Sequence, residues 1–324
     1  AAQGFALIRT HACALAPGDV RVVSGKTREF QGPPAMPFVP GGDVSGVVAA
    51  VADGEPRLRM GDAVVARFNG SPRGGLAEYT VVKTALTTIK PNGVDFCHAA
   101  AIASSGVAAL VLAKMLNHGD RVLILGGSGG VGSDLVQLAR RFGASFVAAT
   151  SSDVQLVRRL GADDAVDYRE HNVWELERYK REPFDVVIDL VGGGWHSARR
   201  CSASSPGILK CGRDGGRFWT LTPDTAWFEM HSIADAIRVF LAPALWRRVY
   251  TFFNRSIPRY QFVLALPEGH ESRAELLALI ESRALDVTLD PAGPFPFTTA
   301  GVRAAFDLQA SRHARGKAVV SLLS

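Results

Sequence analysis

The chain has 324 residues, of which 47% are hydrophobic and 21% are charged, and its formal net charge is +5. This length and composition are typical of a globular protein with a substantial core and room for two lobes. The modest positive charge, without a recognisable nucleic-acid-binding module, argues against a nucleic-acid partner. No apolar run reaches the roughly 18 residues that a membrane-spanning helix needs.

The cysteines argue against a structural metal. The four cysteines are Cys13, Cys97, Cys201 and Cys211. They show neither a C-x-x-C pair nor zinc-ribbon spacing, which indicates a reducing compartment and no disulfide framework. His11 and Cys13 would share one face of a strand, but two ligands without a third favour packing, so we predict no metal site. The chain begins at Ala1, not at a methionine, so we expect a trimmed N-terminus and a targeting segment outside this chain.

Short β-type runs alternate with turn clusters in the first lobe. These runs are Gly4–His11, Val44–Val51, Ala63–Phe68 and Leu76–Val82. The Pro- and Gly-rich connections between them predict a curled, mostly antiparallel sheet. Ala99–Leu116 follows as a predicted helix of small residues that leads into the second lobe.

The most informative segment is Arg121–Gly132, where a buried strand runs into a turn with five glycines in seven positions. A helical pattern follows from Ser133 to Phe142, and Gly143 is placed to cap its end. Strand, glycine turn and helix together present unpaired N–H groups and a positive helix end to a pyrophosphate. One glycine makes the turn, one lets the backbone approach the phosphates, and one lets the helix pack on the strand.

The next predicted strand, Ser145–Thr150, ends in Thr150, Ser151 and Ser152. An enzyme that prefers NAD carries an Asp or Glu about 20 residues after the turn, where it holds the ribose hydroxyls. Small neutral hydroxyls leave room for a 2′-phosphate instead, so the sequence favours NADPH. Further strands complete an α/β fold with a doubly wound parallel sheet. They are predicted at Ala165–Asp167, Phe184–Asp189, Gly216–Leu221 and Gln261–Leu266.

A different class of protein also matches the glycine turn. Gly126–Gly130 satisfies G-x-S-x-G, the nucleophile elbow of α/β-hydrolases. Ser128, Asp189 and either His231 or His313 would then follow in the order of a catalytic triad. Gly132 and the additional glycines have no purpose in an elbow, whereas a cofactor turn uses them. A serine hydrolase that uses Ser128 therefore remains a minor alternative.

Residues 233–260 carry apolar residues at helical spacing with arginines among them. Pro243 is expected to split this segment into two helices. The simplest interpretation is an enlarged crossover helix packed on the sheet. Trp246, Tyr250 and Phe252 beside arginines would also suit a quinone entrance, a membrane surface or a subunit contact.

The C-terminal elements are expected to return to the first lobe, which would leave the cofactor between the two lobes. They are a helix at Glu271–Ser282, the run Pro294–Phe297, a helix at Thr299–Gln309 and a strand at Lys317–Leu322. The predicted domains are therefore a catalytic domain of residues 1–106 and 268–324 and a dinucleotide-binding domain of residues 107–267.

With both lobes placed, nearly the whole chain resembles the zinc-free quinone-oxidoreductase branch of the medium-chain dehydrogenase/reductase superfamily. The resemblance is carried by Ala16–Asp19 with Ser24-Gly25, Pro40–Val48, Gly61–Val64, Gly75–Tyr79, the glycine turn and Leu160–Asp164. Other stretches are similar to the reticulon-interacting mitochondrial oxidoreductase group. They are Arg121–Gly132, Leu156–Tyr168, Ser232–Asp235, Phe295–Phe297 and His313–Lys317.

The resemblance implies a GroES-like, mostly antiparallel β catalytic domain and a Rossmann domain that binds NADPH. It implies hydride transfer to quinones or other conjugated carbonyls, a homodimer, and a mitochondrial or otherwise cytoplasmic location. Alcohol dehydrogenases of this superfamily place a Cys where this chain has Ala16 and a His where it has Gly42. Neither residue ligates a metal, so the resemblance implies a zinc-independent reaction.

Three positions depart from the quinone reductases. Ala16, Phe38 and Ala108 stand where those enzymes often carry Asn, Tyr and Thr. Each difference removes a polar group, so a second hypothesis is an NADPH-binding scaffold or sensor with weak or lost catalysis. The candidate catalytic replacements are Asp43, Asn69, Ser104 and Ser105.

The predicted cofactor contacts follow successive strands. Those facing the pyrophosphate are Ser128, Gly129, Gly130, Val131 and Gly132, and those near the 2′-phosphate are Thr150, Ser151 and Ser152. The resemblance adds Tyr168 near the adenosine, and strand ends at Val191, Gly192, Leu221 and Thr222 are expected near the nicotinamide. A lysine common in the family after the second strand is missing, so Arg312 or Lys317 is predicted to supply the positive charge.

Overall fold

The computed structural model describes residues 2–27, 36–68, 74–203, 207–225, 228–264 and 270–323. The chain divides into two compact units. Unit 1 comprises Ala1–Leu110 and Leu266–Ser324, and unit 2 comprises Val111–Ala265. Among the described residues no single helix is long and apolar enough to cross a membrane, although one bent pair in residues 96–114 passes that test by length and composition.

Thirteen strands are assigned within the described ranges. In the first part of the chain they are β1 (Phe5–Ala14), β2 (Asp43–Val51), β3 (Ala63–Arg67), β4 (Tyr79–Lys83) and β5 (Thr87–Ile89). In the middle they are β6 (Arg121–Leu125), β7 (Phe146–Ser151), β8 (Asp164–Asp167), β9 (Val186–Asp189), β10 (Arg217–Thr220) and β11 (Arg259–Phe262). The last two are β12 (Phe295–Pro296) and β13 (Val319–Ser321).

The helices fall between these strands. Those before β9 are α1 (Pro17–Val23), α2 (Phe96–Ile102), α3 (Ser105–Lys114), α4 (Gly130–Arg141), α5 (Val154–Arg159) and α6 (Glu177–Arg181). Those after it are α7 (Gly194–Ala203), α8 (Ile233–Ala236), α9 (Ala242–Phe253), α10 (His270–Glu281) and α11 (Thr299–Ser311). A π-helix at Ile237–Leu241 joins α8 to α9.

Unit 1 contains a mostly antiparallel sheet in the order β12-β13-β1-β2-β3-β5, and β4 also pairs with β1. Alternate residues of β1, including Ala6 and Ile8, point into a core with Val44, Val64 and Phe295, as expected of a strand with one buried face. The C-terminal segment returns to this sheet as predicted, because β13 lies antiparallel to β1, with Cys13 opposite Val320.

Unit 2 contains a parallel sheet in the order β11-β10-β9-β6-β7-β8. Its strands read as continuous apolar runs because helices cover both faces; Val122, Leu123 and Ile124 of β6 are fully buried. The chain builds outward from β6 to β8 and then returns to add β9 on the other side of β6. That reversal of strand order creates the crevice in which doubly wound sheets bind ligands. The two sheets confirm the predicted fold class.

Two predicted helices differ in the structure. Ala99–Leu116 is not one helix, because α2 and α3 are separate and bent by 51°. Gly106 permits this bend, since a Cβ there would lie 2.9 Å from Ile102 Cβ. The expected division at Pro243 takes a different form: α8 and α9 are two α-helices, but the π-helix joins them without a break. Pro243 lies in the first turn of α9, where a missing N–H costs little.

Candidate functional site

The glycine turn after β6 is fixed to the neighbouring strand by its own backbone. The Gly126 N–H donates to Thr150 Oγ1 at 3.0 Å, and the Gly127 N–H donates to Thr150 O at 2.8 Å. Gly126 has φ +88°, a left-handed conformation that favours glycine. Thr150, predicted to meet a phosphate, is thus buried and holds the turn in place.

Gly132 lets α4 begin directly against this turn. A Cβ on Gly132 would lie 2.1 Å from Gly126 O, so no other residue fits without moving the turn. The N-cap residue is Gly129, which provides no side-chain hydrogen bond to the helix. The first N–H groups of α4 are therefore open to a ligand, and the positive end of the helix favours an anion there.

Gly129 differs from Gly132 in what surrounds it. A Cβ on Gly129 would lie 3.6 Å from Gly126 O, which is an ordinary contact. The packing of the described residues therefore does not require glycine at this position. A phosphate that approaches the backbone would require it, and this is the interpretation that the sequence predicts.

The ends of β9 and β10 complete the same edge of the sheet. The Asp189 carboxylate accepts hydrogen bonds from the N–H groups of Val191 at 2.9 Å and of Gly192 and Gly194 at 2.8 Å. Burial raises the pKa of Asp189. Leu221 follows β10, and the next residue, Thr222, has a buried Oγ1 atom with no hydrogen-bond partner among the described residues. A buried orphan hydroxyl suits a site that a polar ligand completes.

The contacts of Ser128, Asp189 and His231 exclude a serine-hydrolase triad made of these three residues. Ser128 is buried, and the Asp189 carboxylate is occupied by three backbone N–H groups rather than by an imidazole. The His231 ring instead faces Glu229, with Nε2 and Oε2 3.5 Å apart. A nucleophilic serine needs a base that a third group orients, and Ser128, Asp189 and His231 do not form that set.

The predicted 2′-phosphate hydroxyls differ in accessibility. Ser151 is buried, and its Oγ accepts a hydrogen bond from the Asp153 N–H at 2.8 Å. Ser152 is half-buried. Tyr168 lies beyond β8 and is 49% exposed. Ser152 and Tyr168 are therefore the more accessible of the predicted contacts in this region.

Arg169 is the residue of this region that sequence reasoning missed. Its Nη2 donates to Ser152 O at 3.0 Å, so the guanidinium lies beside the end of β7. It also forms a two-bond pair with Asp167, through Nε at 2.9 Å and Nη2 at 2.5 Å. The pair lowers the pKa of Asp167 to about 2. The sequence signal for Arg169 was its position directly after Tyr168, just beyond the end of β8. In the parallel sheet the end of β8 lies beside the end of β7.

Unit 1 brings three predicted site residues together. The Ser104 hydroxyl donates to Asp43 Oδ2, and the Lys317 ammonium lies 3.3 Å from the same oxygen. Asp43 is 2% exposed and Lys317 is 6% exposed, whereas Ser104 is half-buried. In this structure the charge of Lys317, predicted to serve the cofactor, is paired with Asp43.

The remaining candidates are separate from this cluster. The Ser105 hydroxyl donates to Ala101 O at 2.7 Å, a bond within the helical turn. Arg312 lies at the end of α11 in unit 1, with φ +63° and an exposed side chain. Asn69 lies outside the described residues.

The donor set does not suit a catalytic zinc. Ala16 and Gly42, at the two positions where the resemblance places ligands, have no ligating atoms. Cys13 is fully buried, and burial together with the charges of Asp19 and Asp43 raises the pKa of its thiol. A thiol must lose its proton to bind zinc. Among the described residues no group of three or more His, Cys, Asp or Glu side chains has the geometry to hold a metal ion.

Comparison with protein families matches two stretches of the chain. Residues 2–92 match the alcohol dehydrogenase GroES-like domain. Residues 160–320 match the zinc-binding dehydrogenase domain.

Three curated relatives are similar over long stretches. The NADPH-dependent alkenal/one oxidoreductase, chloroplastic, of Arabidopsis thaliana is 33% identical, over 97% of this chain and 71% of that protein. The bovine NAD(P)H oxidoreductase RTN4IP1, mitochondrial, is 29% identical over 98% of this chain and 81% of that protein. The human quinone oxidoreductase is 32% identical over 57% of each chain.

Among solved structures, the Escherichia coli quinone oxidoreductase complexed with NADPH superposes with a TM-score of 0.76. The superposition covers 99% of this chain and 92% of that one, at 20% sequence identity. At this identity the likeness shows the fold.

The two glycines at the amino end of α4 yield a paired prediction. Gly132→Ala is expected to lower the melting temperature of the protein, because its Cβ meets Gly126 O. Gly129→Ala is expected to preserve the melting temperature but to weaken binding of a nicotinamide dinucleotide about tenfold, because its Cβ displaces only a ligand. Thermal unfolding and titration calorimetry measure the two effects. If Gly129→Ala binds as tightly as the parent protein, the phosphates do not approach at this point.

Proposed function

The chain belongs to the medium-chain dehydrogenase/reductase family, and we propose that it is an NADPH-dependent, zinc-independent oxidoreductase that reduces quinones or other conjugated carbonyls. The observation that carries the proposal is the open amino end of α4 beside the glycine turn. It lies at the carboxyl edge of a doubly wound sheet, where strand order reverses and such folds bind dinucleotides.

Residues of unit 2 suit the parts of a dinucleotide. The N–H groups of Gly130, Val131 and Gly132 would hold the pyrophosphate, and Thr222 Oγ1 offers a buried hydroxyl that has no partner among the residues that the structure describes. Ser152 and Arg169 would hold the 2′-phosphate that distinguishes NADPH from NADH. The arginine thus takes the role for which the sequence proposed Arg312 or Lys317. Bound NADPH supplies the hydride.

We infer the class of acceptor from the two positions at which metal-dependent relatives carry metal ligands. A simple ketone or alcohol reaction in this family relies on a metal to polarise the oxygen, and Ala16 and Gly42 supply no ligand for one. A conjugated carbonyl is already electron-poor at the carbon that receives hydride, and the negative charge then spreads to its oxygen. The similarity to an alkenal/one oxidoreductase and to a quinone oxidoreductase supports the same class.

Reduction also requires a proton, for which we propose the Ser104–Asp43–Lys317 network. Lys317 is the only charged donor of the network, and its ammonium is held against Asp43 Oδ2. Ser104 bonds to the same carboxylate and is the half-buried member. The network would pass a proton from Lys317 through Asp43 to Ser104, and Ser104 would protonate the reduced acceptor.

We propose a mitochondrial location on the similarity to RTN4IP1; the relatives include both mitochondrial and chloroplastic proteins. The homodimer implied by the resemblance stays a prediction.

The decisive experiment measures NADPH binding and NADPH oxidation separately. We expect calorimetric binding of NADPH and its steady oxidation with short quinones and α,β-unsaturated ketones, but none with saturated ketones of the same length. Tight binding without turnover across the panel would favour the scaffold hypothesis. Absence of binding to folded protein would refute the dinucleotide assignment itself.

The proton path predicts different outcomes for two adjacent serines. Ser104→Ala is expected to lower kcat about a hundredfold, the usual effect of losing a general acid, with little change in NADPH affinity. Ser104→Thr, which keeps the hydroxyl, should restore most of the rate. Ser105→Ala is the control, because that hydroxyl is bound to Ala101 O. Equal rates for Ser104→Ala and Ser105→Ala would exclude Ser104 as the donor.

The position of Arg169 predicts that this residue determines the preference for NADPH over NADH. Arg169→Leu is expected to weaken NADPH binding about tenfold, the worth of one charge-assisted hydrogen bond, while NADH binding stays unchanged. Arg178→Leu is a matched control, because Arg178 pairs with Asp164 at the opposite end of β8. Calorimetry with both nucleotides measures the ratio. An equal loss for NADPH and NADH would assign Arg169 a structural role only.

A further inference from the structure

The crossover between β10 and β11 exposes an unusually apolar helix. Residues 237, 241, 245 and 249 recur at a spacing of four and form one stripe along the π-helix and α9. Leu245 is 65% exposed, and Trp246, Phe252 and Phe253 beside the stripe are 68%, 68% and 79% exposed. We call this surface, with its neighbouring arginines, the crossover face. Isolated exposed apolar residues are ordinary, but a continuous stripe of this kind marks an interaction surface.

The net charge of the crossover face is positive. Residues 236–264 contain five arginines and no aspartate or glutamate. Arg238 pairs with Asp235 at 3.1 Å, and Arg247 pairs with Asp224. The other three, Arg248, Arg255 and Arg259, are exposed and have no carboxylate partner among the described residues. An anionic partner is therefore complementary to this surface.

We propose that the crossover face docks the protein onto an anionic phospholipid surface. Aliphatic residues and phenylalanines would enter the boundary between headgroups and acyl chains, while the arginines contact lipid phosphates. Trp246 and Tyr250, which stack with ring centroids 6.1 Å apart, are residue types enriched at such boundaries because they combine an apolar ring with a polar group.

Two other partners fit the crossover face less well. A second copy in a symmetric dimer would present the same patch, so unpaired arginines would face arginines across the contact. A nucleic acid would suit the arginines and the exposed rings, but it would leave the aliphatic stripe of Ile237, Leu241 and Leu245 without an apolar partner. The membrane surface alone uses both the stripe and the charge.

Docking on lipid goes beyond the proposed function and does not depend on it. The proposed reaction nevertheless gives lipid docking a consequence. An acceptor with a long apolar tail dissolves in the bilayer. A protein held at that surface would meet such an acceptor at a higher local concentration than one free in solution.

Vesicle flotation tests the proposal with the whole chain. We expect binding to phosphatidylcholine vesicles that contain phosphatidylglycerol, little binding to phosphatidylcholine alone, and weakening of the bound fraction as salt rises. Phe252→Ser with Phe253→Ser is expected to lower the vesicle affinity at least about tenfold, through loss of buried apolar area. Arg248→Gln with Arg255→Gln should lower the affinity and flatten its salt dependence.

Matched controls lie elsewhere on the surface. Met60→Ser removes an apolar side chain that is 76% exposed, and Arg141→Gln removes an exposed arginine on α4; both should leave vesicle binding unchanged. An unaltered melting temperature shows that each variant is folded and keeps this test separate from the proposed function. The proposal is overturned if the parent does not bind anionic vesicles, or if controls and crossover variants lose binding equally. It is also overturned if the phenylalanine variants convert a soluble dimer to monomers, since a second copy then covers the face.

Discussion

The close approach of Gly132 to the carbonyl of Gly126 is the contact on which the candidate site depends. It allows α4 to start within one turn of the end of β6, so the open N–H groups of the helix lie directly beside the glycine turn. A side chain at position 132 would push the helix away from the strand, and the aligned peptide dipoles would then act at a greater distance. The hydrogen bonds to Thr150 hold the turn from the other side. The ability to hold a diphosphate therefore rests on backbone geometry rather than on any charged side chain.

What the sequence predicted well is what is encoded locally. The strand, the glycine turn and the helix of residues 121–141 are consecutive, and each is visible from composition and periodicity. The parallel sheet followed because apolar strands alternate with helices through the middle of the chain. One prediction from local patterns, the single helix at Ala99–Leu116, was wrong. A run of small residues reads as one helix, but the bend between α2 and α3 is produced by packing around Gly106, which periodicity does not report.

Sequence reasoning does not reveal contacts between groups that lie far apart in the chain. Lys317 meets Asp43 across 274 residues, and no spacing rule connects a lysine near the C-terminus with a strand near the N-terminus. Lys317 was proposed as a phosphate ligand because a lysine common in the family is missing after the second strand, whereas a buried ammonium requires a nearby carboxylate. Arg169 was overlooked because it has a partner close by in the sequence. Its neighbour Asp167 makes the pair appear self-contained, and only the register of β7 with β8 brings the guanidinium to Ser152.

A reaction without a metal needs another way to stabilise the negative charge that develops on the acceptor oxygen. A metal would stabilise negative charge on the acceptor oxygen directly, and without one that charge must be spread by conjugation and removed by a proton. In the proposed path the Asp43–Lys317 pair would meet the second demand, and two opposite charges buried together avoid the penalty of a lone buried ion. Ser104 would link this pair to the acceptor, since it bonds to the carboxylate and is itself only half-buried. The break between α2 and α3 is where the Ser104 hydroxyl reaches Asp43.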